Sequence, residues 1–209
     1  MTKRRSFYIL FFSLLIIVFL IVLTRMIPGF GDVKLPVLSY VQPFSFTDQE
    51  GNRISEKDVS GKVYVAEYFF TTCKGICPKM NTNMKKIYTV YNKEKNFLIM
   101  SHTVDPDVDK VGRLKRYADS LGISSQNWHL LTGRKDSLYY AARVSYLLDD
   151  PQNNNEKIEE QFLHTQFFAL VDKKGRVRKI YDGLKKDDIS QLTKDISKLL
   201  QEEVTNTNL

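Results

Sequence analysis

From Phe7 to Leu23 every residue is apolar or aromatic except Ser13. No other feature limits this chain so much, because a run of that kind is readily satisfied only by lipid or by a large core. As a helix rising ~1.5 Å per residue it reaches about 25 Å. That is the short end of what crosses a hydrocarbon core, where roughly 17–25 residues are needed. Lys3, Arg4 and Arg5 precede the run and Arg25 follows it. A cleaved signal would have a shorter apolar region and then small residues of the Ala-x-Ala type. Here the chain continues Leu23-Thr24-Arg25-Met26-Ile27, with no cysteine nearby for a lipid. The expectation is an uncleaved, single-pass transmembrane anchor over residues 7–24. The basic N-terminus, residues 1–6, is expected to stay in the cytoplasm. The simplest setting is a bacterial cytoplasmic (inner) membrane, with the remaining chain on the extracytoplasmic, periplasmic side.

Residues 25–43 contain Pro28, Gly29, Gly31, Pro36 and Pro43 and read as a linker. Residues 44–203 are expected to form one globular domain, followed by a polar, flexible tail, 204–209. A hydrophobic content of 43% and a charged content of 26% fit a globular chain and exclude a fibrous or disordered one. The net charge of +7 reads as a solvated cationic face. No basic stretch interleaved with aromatics marks a nucleic-acid module, so no nucleic-acid partner is expected.

The pattern of elements is mixed. Phe44 to Thr47 followed by Gln49-Glu50-Gly51-Asn52 suggests a short hairpin. Strands are expected over Val63–Phe70, Phe97–Val104 and Trp128–Leu131. Helices are expected over Cys73–Tyr91, Lys110–Leu121 (closed by Gly122) and Asp136–Leu147. Phe167–Val171 and Val177–Tyr181 flank a turn, Asp172 to Gly175, and Asp187–Leu200 is a closing helix. The order βαβαβαββα implies a parallel sheet covered by helices, with antiparallel strands added late. This is an α/β, thioredoxin-like fold with an N-terminal β-hairpin extension. Met80 and Met84 fall at helical spacing with Ile87, Tyr88 and Tyr91, which places them in the core.

The chain has two cysteines, Cys73 and Cys77, too few for a disulfide scaffold. They sit where a strand ends and a helix begins, in Phe70-Thr71-Thr72-Cys73-Lys74-Gly75-Ile76-Cys77-Pro78. Free N–H groups at a helix start stabilise a thiolate, so at least one pKa should be lowered. At i and i+4 the two can face one metal ion or close a disulfide. Thiolates select soft metals such as Cu(I) or Zn. A redox pair is the other reading, although thioredoxin-type enzymes separate their cysteines by two residues rather than three. Glu67, six positions before Cys73 in the expected strand, would be a buried acid with a raised pKa and a candidate proton relay. His102 and His129 read as structural. Asp105 and Asp109, around Pro106, read as a turn and as an N-cap for the next helix, with a role near the site as the alternative.

These motifs together make the sequence recognisable. It resembles the Sco (SenC) family of copper-delivery proteins, which serve the copper centre of cytochrome c oxidase. The likeness covers roughly Phe44 to Leu200. It rests on Cys73 through Cys77-Pro78 (Cys-x-x-x-Cys-Pro), Asp105-Pro106-Asp107-Val108-Asp109, Trp128-His129-Leu130-Leu131-Thr132-Gly133, and His164 ahead of Phe167-Phe168. The resemblance implies that Cys73, Cys77 and His164 bind one copper, as Cu(I) or Cu(II). It also implies delivery to the copper-centre subunit of the oxidase, with another copper chaperone or a thiol reductant as a further partner. Lys74 could offset the charge of such a centre. The polar segment Asp149 to Glu160 reads as a mobile loop that would let His164 swing in when copper binds.

Two enzymatic readings compete. A membrane-anchored thiol–disulfide oxidoreductase could use Cys73 and Cys77 as a redox-active pair, with Glu67 relaying protons. Against it, Leu163 to Val171 lacks the proline that faces the cysteines in such enzymes. A peroxiredoxin-type peroxidase would want a proline just ahead of its cysteine, where this chain has Thr71 and Thr72.

Overall fold

The computed structural model describes residues 3–26, 34–150, 152 and 157–202. Helix α1, Lys3–Met26, holds the apolar run; its segment Arg4–Leu23 is long and apolar enough to cross a membrane. The rest forms a separate compact unit beginning at Pro36. Pro28, Gly29 and Gly31, residues 151 and 153–156 of the expected mobile loop, and the tail lie outside the described residues.

The chain enters the globular unit through β1 (Ser39–Tyr40), which lies within the stretch expected to be linker. A two-residue strand between prolines has no periodicity to reveal it. The expected hairpin is β2 (Ser45–Thr47) and β3 (Arg53–Ser55). Then come β4 (Val63–Phe69), α2 (Cys77–Tyr91), β5 (Phe97–Thr103), α3 (Val111–Leu121), β6 (Trp128–Leu131) and α4 (Lys135–Tyr140). A π-turn over Ala141–Ser145 continues α4, and β7 (Phe167–Val171), β8 (Arg176–Asp182) and α5 (Lys186–Gln201) follow. The main sheet runs β1-β8-β7-β4-β5-β6. β4, β5 and β6 are parallel, and β7, β8 and β1 join antiparallel. This is the expected thioredoxin-like arrangement.

Every residue of β4 and β5 is buried, because these central strands are covered on both faces. Alternation along β4 then decides which way each side chain looks. Tyr64, Ala66 and Tyr68 join the core cluster with Leu138, Tyr139 and Tyr146, while Glu67 is not part of it. Glu67 therefore faces the opposite side of the sheet.

Two helix boundaries depart from expectation. α2 begins at Cys77, not Cys73. Pro78 has no N–H, and its ring would clash with the carbonyl four residues back, so a helix cannot run through it from upstream. It is tolerated only in the first turn. The third expected helix stops being α at Tyr140, and the widened π-turn keeps both Ala142 and Arg143 inside. Arg143 there donates to Asp149 (2.7 Å) and to Gln161 (2.7 Å). Gly122 ends α3 as expected, with φ 60 and its N–H on Asp119.

Candidate metal centre

Because α2 starts only at Cys77, Cys73 lies in the loop between β4 and α2 and is half-buried, whereas Cys77 is buried. Both are free thiols in hydrogen-bond contact with one another. Their environments pull them apart. Partial burial pushes Cys73 up. The hydrogen bond with the Cys77 thiol and the backbone N–H groups of Cys77, Gly75 and Ile76 outweigh it and hold Cys73 below an ordinary thiol. Burial and then the Cys73 contact push Cys77 up to about 12. The pair therefore loses its first proton readily and its second reluctantly.

Asp109 holds the loop ahead of Cys73. Its buried carboxylate accepts from the Thr71 N–H (3.0 Å), the Thr71 hydroxyl and the Thr103 hydroxyl (2.6 Å). Arg113 donates to the Thr71 Oγ1 (2.6 Å) and pairs with Asp109 at 3.7 Å. Of the two readings of Asp109, a cap for the next helix and a role near the site, the first fails: the N-cap of α3 is Lys110, with no side-chain cap, and the Asp109 carboxylate turns inward to the loop ahead of Cys73. Asp105 forms the expected turn through its carbonyl, which accepts from Val108 and Asp109.

His164 lines the same cleft of about 500 Å³ as Cys73, Cys77, Lys74 and Ile76. Its ring is exposed, 4.9 Å from Phe162 and 6.4 Å from Phe70. The backbone around it is tied down. Leu163 donates its N–H to the Tyr139 hydroxyl, whose single O–H is shared between the Val104 (3.1 Å) and Gln161 (3.3 Å) carbonyls. Beyond it, Gly183 donates to the Gln166 carbonyl. So the structure brings Cys73 and Cys77 together and puts His164 on their cleft, but not in contact with them. Among the described residues no three His, Cys, Asp or Glu side chains converge closely enough to hold a metal ion.

Glu67 is fully buried on the α2 side of the sheet, and burial, only partly opposed by the Ser101 hydrogen bond, raises its pKa to about 7. Ser101 donates to Oε1 at 2.6 Å and receives the Trp128 indole N–H at 2.8 Å. Oε2 has no partner. Glu67 is close enough to Cys77 to help raise it. The other histidines are structural, as expected. His102 is buried against Tyr68, Phe46 and Tyr146. His129 lies 3.4 Å from Asp48. Met80 and Met84 are core. Sequence reasoning did not single out Arg113, Tyr139, Arg143 or Gln161, which hold the two loops; Arg113 lies at an i,i+4 step from Asp109, whereas the loop contacts of Tyr139 and Gln161 carry no such signal.

The family model for SCO1/SenC matches residues 35–201. The SCO1 protein homolog of Bacillus subtilis (strain 168) is 32% identical over 172 residues, which are 80% of this chain and 86% of that one. BsSco, a member of the Sco family of cytochrome c oxidase assembly proteins in which a disulfide switch has been identified, superposes with a TM-score of 0.69. It is 28% identical and matches over 82% of this chain and 100% of that one. Bradyrhizobium japonicum ScoI, solved with copper bound, shares the fold at a TM-score of 0.61 and 21% identity, over 78% of this chain and 100% of that one. The matched span takes in both loops of the thiol cleft and every strand of the main sheet, and on that footing the chain belongs to the SCO1/SenC family.

Proposed function

We propose that the globular unit carries one copper ion between the thiolates of Cys73 and Cys77 and the imidazole of His164. In this reading it hands the ion to the copper-centre subunit of cytochrome c oxidase during assembly. The observation that carries the proposal is a pair of free, touching thiols facing a solvent-open cleft that also presents an exposed imidazole. Two thiolates favour Cu(I), and the added imidazole suits Cu(I) and, with one more ligand, Cu(II). Copper bound to B. japonicum ScoI supports the choice of ion. Because the backbone on both sides of His164 is hydrogen-bonded, loading needs its ring to turn away from Phe162 toward the sulfurs. Lys74, on the same cleft, offsets the excess negative charge of two thiolates around a monovalent ion. Transfer is ligand exchange, one donor at a time, and needs no bond-making catalysis. α1 anchors the chain, with the globular unit on the extracytoplasmic side, where an oxidase subunit and a second copper chaperone are within reach.

The test is a Cu(I) competition titration on the reduced full chain in detergent, beside His164→Ala and Cys77→Ser. One copper per chain is expected, weakened at least about ten-fold in each variant. Wild-type binding no tighter than that of His164→Ala would remove the imidazole from the ligand set.

A second reading is favoured by the unequal thiols and by Glu67. Cys73 thiolate would attack a partner's disulfide, forming a mixed disulfide. Cys77, giving its proton toward Glu67, would then attack the Cys73 sulfur and release the partner as a dithiol, leaving Cys73–Cys77 oxidised. The disulfide switch of BsSco supports this chemistry, and a thiol reductant would restore the pair. Both readings use the same sulfurs and do not exclude each other.

A further inference from the structure

Cys73 opens onto two clefts. The second, about 530 Å³, runs between α2 and α3 and is lined by Asn81, Lys85, Lys86, Tyr117 and Leu121 beside Cys73. Neither cleft has an aspartate or glutamate in its lining. The cause is in the sequence: between Glu67 and Glu94 the chain has no carboxylate at all, yet it carries Lys74, Lys79, Lys85, Lys86 and Lys93. The stretch that contains both cysteines and all of α2 is thus cationic throughout. Lys74, Lys79 and Lys86 are exposed, and among the described residues no lysine of this stretch is in an ion pair. The carboxylate in reach of the thiol loop, Asp109, is buried and already engaged with two threonines and Arg113. Elsewhere cations are commonly balanced, as Lys115 is by Glu50 and Asp119 or Lys198 by Asp195.

Unneutralised charge of one sign along a groove that ends at a reactive group raises the local concentration of oppositely charged partners and their on-rate. We propose that the α2–α3 cleft is a docking channel for an acidic protein segment that brings a sulfur ligand to Cys73. This rests on the reading of Cys73 as the exchanging thiol, and it adds the chemistry of the partner: carboxylates flanking its cysteine. A protein segment fits better than an anionic membrane surface, because the channel is concave and Cys73 lies inside it, where a flat headgroup layer does not reach.

Two synthetic peptides of equal length test this, each carrying one cysteine activated as a thionitrobenzoate mixed disulfide. One has aspartates around the cysteine and the other has lysines. Cys73 thiolate attacks the peptide sulfur, an S–S bond forms, and thionitrobenzoate leaves with the electron pair, so its release counts events. Initial rates are read, because a later attack by Cys77 frees a peptide thiol that can itself displace thionitrobenzoate from unreacted peptide. With the reduced full chain in detergent at low salt, the acidic peptide is expected to react about ten-fold faster or more. The preference should collapse near ~1 M salt, where screening shortens to about 3 Å. Reversing Lys86, which lines the channel, together with Lys79, an exposed lysine of the same helix outside the lining, as Lys79→Glu/Lys86→Glu, should abolish or invert it. Lys85 is left in place because it hydrogen-bonds the Leu121 carbonyl. Arg53→Glu/Lys57→Glu, which changes net charge equally on a different cleft, should leave the preference intact.

Equal rates for the two peptides, or equal loss of preference in both double variants, would overturn the channel. So would a Lys79→Glu/Lys86→Glu chain that keeps its peptide preference but no longer binds phosphatidylglycerol vesicles, since the lysines would then serve the membrane. The peptide assay uses no metal, so a failed copper titration beside a retained acidic preference would count against copper carriage alone.

Discussion

Asp109 receives three hydrogen bonds from Thr71 and Thr103 while its carboxylate is shut away from water, so its removal strands several donors at once. Asp109→Ala is expected to destabilise the globular unit by about 3 kcal/mol, measured by urea unfolding of the full chain in detergent. Asp109→Asn, which keeps one acceptor, should cost less. Alkylation of Cys73 should also change its pH profile in Asp109→Ala, because the loop that presents backbone N–H groups to the thiol loses its tether; an unchanged profile would mean that the loop holds itself. At this scale the sequence was partly legible. Two cysteines in a chain otherwise without them announced the site, and a strand before them announced Glu67. The reach of Asp109 was hidden, since an aspartate ahead of a helix is more often a cap than a buried acceptor. His164 became a candidate only through the family resemblance, because nothing local separates one exposed histidine from another.

On the paired strands β4 and β5, neighbouring residues carry opposite proton linkages. The Glu67 carbonyl lies 3.3 Å from the His102 Nδ1, yet the two side chains face opposite sides of the sheet. Burial raises Glu67 from 4.5 to about 7, so the folded chain binds the extra proton and this contribution to stability is lost as pH rises through 7. Burial lowers His102 from 6.5 to about 4, so stability gained above 6.5 is lost as pH falls through 4. Between about 4.5 and 6.5 the two slopes oppose and largely cancel. His129, also lowered by burial, adds a slope of the His102 sign, so urea midpoints of the wild type are expected to rise only slightly with pH across that window. Glu67→Gln, which keeps the shape without the titration, should steepen that rise of stability with pH, by an amount on the order of 2 kcal/mol. A Glu67→Gln profile as flat as the wild type would show that neither linkage operates. The strands of this sheet other than β1, and most helices, were readable from periodicity. The start of α2 and the π-turn were not, because a proline's missing N–H and one extra residue per turn override an apolar spacing that looks continuous.

For the molecule as a whole, the proposed anchor would set where the chemistry can occur. The protein is expected to stay in the pellet after alkaline carbonate washing of membranes. A membrane-impermeant maleimide should label Cys73 in intact cells; labelling only after permeabilisation would reverse the proposed orientation. A helix long and apolar enough to cross a membrane was legible in Phe7–Leu23, and so was the layered α/β plan. The seating of the two loops was not, because it depends on β4 and β7 lying side by side with Ala66 opposite Ala169. That pairing has a consequence for quality control. The cysteines follow β4 and the histidine precedes β7, so the proposed donor set comes from distant parts of the chain and would exist only once those strands have zipped together. A nascent or damaged chain offers two sulfurs and nothing more. Tight loading with copper would therefore certify that a molecule has finished folding, and cargo would be withheld from those that have not.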